Sequence, residues 1–126
     1  MELFTIVRPE HLNHYGSLFG GQMLKWIDEF AYLAAMREFP GCMLVTRAMD
    51  DVSFTRGVRN GALLRFSIAR ESIGHTSVTY RVDVFARDAG KTDDAHAFGT
   101  SITFVSINER QEKVPVPAPL EQPGLP

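Results

Sequence analysis

A chain of 126 residues, 44% hydrophobic and 22% charged with a formal net charge of −2, has the size and balance of one compact domain and lacks the apolar depletion of a disordered chain. That charge gives no general electrostatic reason to hold nucleic acid or an anionic membrane. The single cysteine, Cys42, has no intrachain disulfide partner, and the first residues lack the basic, long apolar and small-residue pattern of a secretion signal, so the sequence predicts a cytoplasmic protein.

Met1 to Val7 carries the β-formers Phe4, Thr5, Ile6 and Val7 and is ended by Pro9, which has no amide hydrogen for a ladder. A short first strand is expected. His11 to Gly21 reads as loop, with Asn13, Gly16, Ser17, Gly20 and Gly21, and the Gly20-Gly21 pair immediately precedes a helical pattern. From Gln22 to Glu38, Leu24, Ile27, Ala31, Ala34 and Ala35 recur at spacings of three or four, while Trp26, Phe30 and Leu33 carry the apolar surface further round the cylinder. This predicts a buried helix, stopped by Pro40-Gly41. Lys25, Asp28, Glu29 and Arg37 interrupt it, so it fails as a membrane span.

The remainder is β-rich. Met43, Val45 and Met49 share odd parity, whereas Val52 and Phe54 are even; the change at Asp50-Asp51 predicts a bulge. Leu64, Phe66 and Ile68 alternate with Arg65 and Ser67, and Val78, Tyr80, Val82 and Val84 alternate with Thr79, Arg81 and Asp83, giving two half-buried strands joined by a turn at Ser72-Ile73-Gly74-His75. A polar link from Arg87 to Asp94 leads to a last strand near Ala95 to Ile107. Residues 1–113 form the single domain on this reading. Residues 114–126 form a Pro-rich tail, extended or disordered. One long apolar helix with an antiparallel meander is an α+β arrangement, a curved sheet wrapped round the helix.

Several side chains stand out chemically. Asp28 is flanked by Trp26, Ile27, Phe30 and Ala31, where an ionised carboxylate needs a strong partner or a raised pKa; an arbitrary helical Asp is more often a solvated acid or an ion-pair partner. The Gly20-Gly21 junction offers helix-start amides to an oxyanion or a polarised carbonyl, or simply shapes a tight turn. Asn13 suits orienting water or a carbonyl, and equally an Asx-turn. Arg56 and Arg59 on a glycine-flanked loop after Ser53-Phe54 suit phosphate oxygens, or a solvated turn. His11 and His14 come with no cysteine pair, no HExxH pattern and no nearby acid at ligand spacing beyond Glu10, and Ser17 lacks a glycine-flanked nucleophile elbow, so neither a metal site nor a Ser-His-Asp triad is expected.

The run Asn13-His14-Tyr15-Gly16-Ser17-Leu18-Phe19-Gly20-Gly21-Gln22-Met23-Leu24-Lys25-Trp26-Ile27-Asp28-Glu29 resembles the signature of the acyl-CoA hydrolase branch of the hotdog-fold thioesterases. The resemblance continues through Ser53-Phe54 and the glycine turns to Phe104-Val105, covering most of residues 3 to 108. It implies a hotdog fold and hydrolysis of acyl-CoA thioesters, with Asp28 as general base or nucleophile, Gly21 and Gly20 as oxyanion amides and Asn13 as an orienting group. Coenzyme A is then part of the substrate, and no cofactor is implied. Arg56, Arg59, Phe54 and the turn Gly74-His75-Thr76-Ser77 would meet coenzyme A. Gly57, His75 and Ala62 stand where the family usually has proline, a basic residue and an acid, which leaves the phosphate contacts open.

Asp28 and Gly21 lie about 10 Å apart along one helix at 1.5 Å rise per residue. The resemblance implies a homodimer in which Asp28 of one copy faces Gly21 of the other, with hexamers of three dimers common in the family. The competing reading is a non-catalytic acyl-CoA-binding or sensing module on the same scaffold.

Overall fold

The computed structural model describes residues 1–120. Strand β1 (Glu2–Ile6) and a single 3-10 turn (Pro9–His11) lead to helix α1 (Gly20–Glu38), followed by β2 (Met43–Phe54), β3 (Leu63–Ile73), β4 (Ser77–Arg87) and β5 (Ala95–Ile107). The strands form one antiparallel sheet in the order β1-β3-β4-β5-β2.

Helix α1 begins two residues earlier than the apolar periodicity suggests. Gly20 and Gly21 are its first two residues, with extended Phe19 as the cap, because apolar spacing is blind to a first turn built of glycine. Its C-terminus falls where expected: Phe39 leaves helical geometry, and Gly41 follows at φ 84°. The face toward the sheet buries Met23, Trp26, Ile27, Ala31, Ala34 and Ala35. Three alanines bring the helix axis close to the strands, and the larger residues fill the flanks.

Opposite lie Leu64, Phe66 and Ile68 of β3, Val78, Tyr80, Val82 and Val84 of β4, and Phe98, Ile102 and Phe104 of β5, all buried. The period-2 alternation of β3 and β4 is thus the inner face of the sheet. Each fully buried side chain of this size contributes roughly 1.5–3 kcal/mol, so truncating Phe66, wholly buried edge-on to Phe30, would cost about 3–5 kcal/mol.

Strand β2 is less regular. Its pairing with β5 shifts between Asp50 and Ser53, with Asp51 at φ 55°, so the bulge lies where parity places it. A second shift between Thr46 and Ala48 has no parity signal, because it changes faces between an apolar stretch and a mixed one. In consequence Leu44 and Thr46 oppose the inner-face residues Ser106 and Phe104, whereas Met43 and Val45 oppose Ile107 and Val105. Met43 and Val45 therefore stand exposed on the opposite face from Met49, not beside it.

The residues after Lys113 are extended as far as 120 and are tied down rather than loose: the Val114, Val116 and Leu120 amides donate to the Ser106, His75 and Glu38 carbonyls. Val116 packs on the core. The remainder of the Pro-rich tail, 121–126, lies outside the described residues.

Candidate active site

The loop before α1 is closed by its own polar groups. Asn13 Oδ1 accepts from the amides of Tyr15 (2.9 Å) and Ser17 (3.2 Å), and the Asn13 amide donates to the Ser17 carbonyl at 2.8 Å. Asn13 is therefore an Asx-turn residue here, its Nδ2 open. The Leu18 amide donates to the Val58 carbonyl at 2.7 Å and that of Phe19 to the His11 carbonyl at 2.9 Å, which anchors the helix start between the two loops. His11 stacks edge-on against Trp26 at 4.7 Å and accepts from the Arg8 amide through Nδ1.

At the helix start, the Gln22 and Met23 amides both donate to the Phe19 carbonyl. Those of Gly20 and Gly21 have no acceptor among the described residues, as expected for the first turn of a helix. Both glycines lie against aromatic rings. A Cβ on Gly21 would stand 2.7 Å from Phe19 Cε1, and one on Gly20 3.4 Å from Phe54 Cζ. Phe19 and Phe54 are each 57% exposed, so two open rings border two open amides. Phe54 also rests edge-on against Phe98 at 4.5 Å.

Asp28 lies two turns along α1, half-buried, and its Oδ1 accepts a 2.5 Å hydrogen bond from Thr46 Oγ1 of β2. This threonine supplies the partner that the apolar flanks of Asp28 demand. Local spacing does not reveal it, since the pair joins a helix to a strand through the inner-face register set by the shift at Arg47. Glu29, the neighbouring acid, is exposed.

The expected coenzyme A contacts divide. Arg56 is already engaged: its Nη2 donates to both Asp88 carboxylate oxygens at 3.0 Å, and its Nε to the Gly57 carbonyl. Arg59 is exposed, its guanidinium without a partner among the described residues. The turn through Gly74, His75 and Thr76, closed by a 2.8 Å bond from the Gly74 amide to the Ser77 carbonyl, sits at the other end of the sheet, where α1 finishes. Within one chain it is not brought together with Gly20 and Gly21.

This fold coincides with that of a known family. The model of the thioesterase superfamily matches residues 15–92. The chain belongs to that superfamily. Among curated relatives, acyl-coenzyme A thioesterase 11 of Mus musculus is 31% identical over 109 residues, 86% of this chain, which spans only 18% of that protein. An uncharacterized acyl-CoA thioester hydrolase of Zymomonas mobilis is 30% identical over 113 residues, covering 90% of this chain and 75% of its own. Among solved structures, the acyl-CoA hydrolase of Staphylococcus aureus in complex with butyryl coenzyme A, coenzyme A and coenzyme A disulfide is 26% identical with a TM-score of 0.83, over 94% of this chain and 71% of that one. Variants of that hydrolase carrying alanine for an aspartate, an asparagine or a threonine are also similar. Cj0915 of Campylobacter jejuni, a hexameric hotdog fold thioesterase, is 29% identical with a TM-score of 0.80, over 91% of this chain and 88% of its own. The five-stranded antiparallel sheet wrapped on one helix is accordingly a hotdog fold.

Proposed function

We propose that this chain hydrolyses acyl-CoA thioesters, with Asp28 as general base or nucleophile and the Gly20 and Gly21 amides holding the thioester oxygen. The observation that carries the reading is the Thr46–Asp28 hydrogen bond, which aims a half-buried carboxylate flanked by Trp26, Ile27, Phe30 and Ala31. The open amides of the same helix supply the complementary charge, since helix-start N–H groups stabilise developing negative charge. The aspartate and asparagine replaced in the Staphylococcus aureus variants are separated by the same fifteen positions as Asn13 and Asp28. That spacing favours Asp28 over Glu29. A general base would take a proton from water attacking the carbonyl carbon; a nucleophile would form an acyl anhydride that water then opens.

The site takes two copies. Asp28 and Gly21 on one helix are about 10 Å apart, too far to act on one carbonyl. Strand β2 is a 12-residue edge exposing Met43, Val45, Val52 and Phe54, and a long apolar edge calls for a partner strand. Antiparallel pairing of two β2 edges turns one copy end for end. Asp28 of one copy then approaches Gly21 of the other, and the Gly74–Ser77 turn of one copy comes to the end where its partner's helix begins. Arg59, His75, Thr76 and Ser77 become the contacts for coenzyme A, with Arg56 available only on release from Asp88.

Thiol release from a panel of acyl-CoAs tests the reading. Asp28→Asn is expected to abolish it while acyl-CoA still raises the melting temperature. Full turnover in that variant, or in a monomer at assay concentration, would overturn the assignment. Thermal stabilisation by acyl-CoA with no thiol released by the wild-type chain would instead establish a binding module.

A further inference from the structure

The outer face of the sheet carries a second chemical constellation, directly behind Phe54. Phe54 turns its ring toward the helix, and the next residue, Thr55, turns its hydroxyl the other way. Thr55 Oγ1 lies 2.9 Å from His96 Nδ1, and His96 Nε2 lies 2.9 Å from Asp83 Oδ1. Asp83 is in turn gripped by Arg81 through Nη2 at 3.0 Å and Nε at 3.2 Å. An ionised carboxylate only accepts, so the neutral imidazole carries its proton on Nε2 and leaves Nδ1 to accept from the Thr55 hydroxyl. Burial pushes the Asp83 carboxyl up, but the bonds from Arg81 and His96 outweigh it and hold the group below the usual carboxylate range.

The surroundings fit this order of groups. A Cβ on Gly99 would stand 2.5 Å from Arg81 Nη2 and 2.9 Å from Asp83 Oδ1, so glycine there lets the charged pair lie flat on the sheet. The Thr55 amide donates to the Ala97 carbonyl at 2.8 Å, which holds the backbone that carries the hydroxyl. The amides of Arg56 and Gly57, the next two residues, have no acceptor among the described residues. A cavity of about 240 Å3 lined by Arg56, Asp88, Lys91, Asp93 and Ala95 reaches this group only through Arg56 and Ala95, the chain neighbours of Thr55 and His96. Its two cations and two anions suit a neutral polar molecule.

We propose that Thr55, His96 and Asp83 form a second nucleophilic site, independent of Asp28, that cleaves small polar carboxylic esters. Thr55 Oγ attacks the ester carbonyl carbon and its proton passes to His96 Nδ1. The bond to the leaving alkoxide breaks, and the alkoxide departs with that proton as an alcohol. Water, deprotonated by His96, then opens the Thr55 ester, releasing the acid and restoring the hydroxyl. Asp83 steadies the imidazolium in both halves, and the open amides of Arg56 and Gly57, next along the chain, would receive the oxyanion.

The probe is p-nitrophenyl acetate, assayed in an Asp28→Asn background so that the thioester site is silent. Thr55→Val and His96→Gln are each expected to lower p-nitrophenol release about 10²-fold, with Thr55→Ser retaining it and mass spectrometry finding the acetyl group on Thr55. In an otherwise wild-type chain, Thr55→Val is expected to leave acyl-CoA thiol release unchanged. Unchanged p-nitrophenol release in folded Thr55→Val overturns the proposal, whether or not its melting temperature falls. So does the absence of acetyl-Thr55 in the quenched Asp28→Asn chain.

Discussion

The two ends of helix α1 are finished in opposite ways. Where it stops, polar groups are spoken for: Tyr80 donates to Glu38 at 2.6 Å, Arg70 pairs with the same carboxylate, and the Leu120 amide donates to the Glu38 carbonyl at 2.8 Å. Burial and then Glu38 push the Tyr80 hydroxyl far above its ordinary range. Where the helix starts, the Gly20 and Gly21 amides are open and the rings beside them are half in water. A helix dipole satisfied at one end and left open at the other separates paired from unpaired polar groups along a single element.

That separation can be broken by substitution. The largest effect is expected from Asp28→Asn, which should lower thiol release by about 10²–10⁴-fold with an unchanged melting curve. Next comes Gly21→Ala. Its methyl group, 2.7 Å from the Phe19 ring, should displace that ring and lower turnover on the order of 10²-fold, while Phe19→Ala in the same chain should restore part of it. No recovery in the double variant would show that the ring is not the obstacle.

At the closed end the sign reverses. Tyr80→Phe should leave turnover intact and cost about 1 kcal/mol in urea unfolding. Because the folded Tyr80 holds its proton more tightly than the unfolded chain, its contribution is full below the ordinary tyrosine pKa of about 10 and is lost above it. Tyr80→Phe should therefore flatten the alkaline limb of the stability profile. The smallest effect is expected on the outer face. Asp83, held below the usual carboxylate range, contributes stability above about pH 4 that disappears as pH falls through its folded value, so Asp83→Asn should flatten only the acid limb.

Much of this architecture is legible in the sequence because local periodicity maps directly onto burial. The alternations at Leu64–Ile68 and Val78–Val84 are the inner face of the sheet, and the apolar helix ends at Pro40-Gly41 as its residues dictate. Asp28 stands out in the sequence by its apolar flanks and Gly20-Gly21 by its place before a helical pattern, and the structure puts the pair in the first turn of α1. Thr46 is not, because its meeting with Asp28 depends on a strand register that a shift at Arg47 resets. The engagement of Arg56 by Asp88, 32 positions away, is equally invisible to a local pattern. The Thr55–His96–Asp83 network likewise joins the end of β2, the start of β5 and the middle of β4. Asn13 shows the converse: its spacing suits both chemistry and turn, and the structure gives its oxygen to the turn.

The bulge at Asp51 gives β2 a reading frame. With one residue more in β2 than β5 needs, Phe54 opposes Phe98 on the helix side and Thr55 looks outward. Deleting Asp51 would slip everything after it by one position and exchange the faces. A hydroxyl would then stand over Gly20 while the aromatic ring moved into water beside His96. A single codon thus decides which face of the sheet carries the ring and which the hydroxyl.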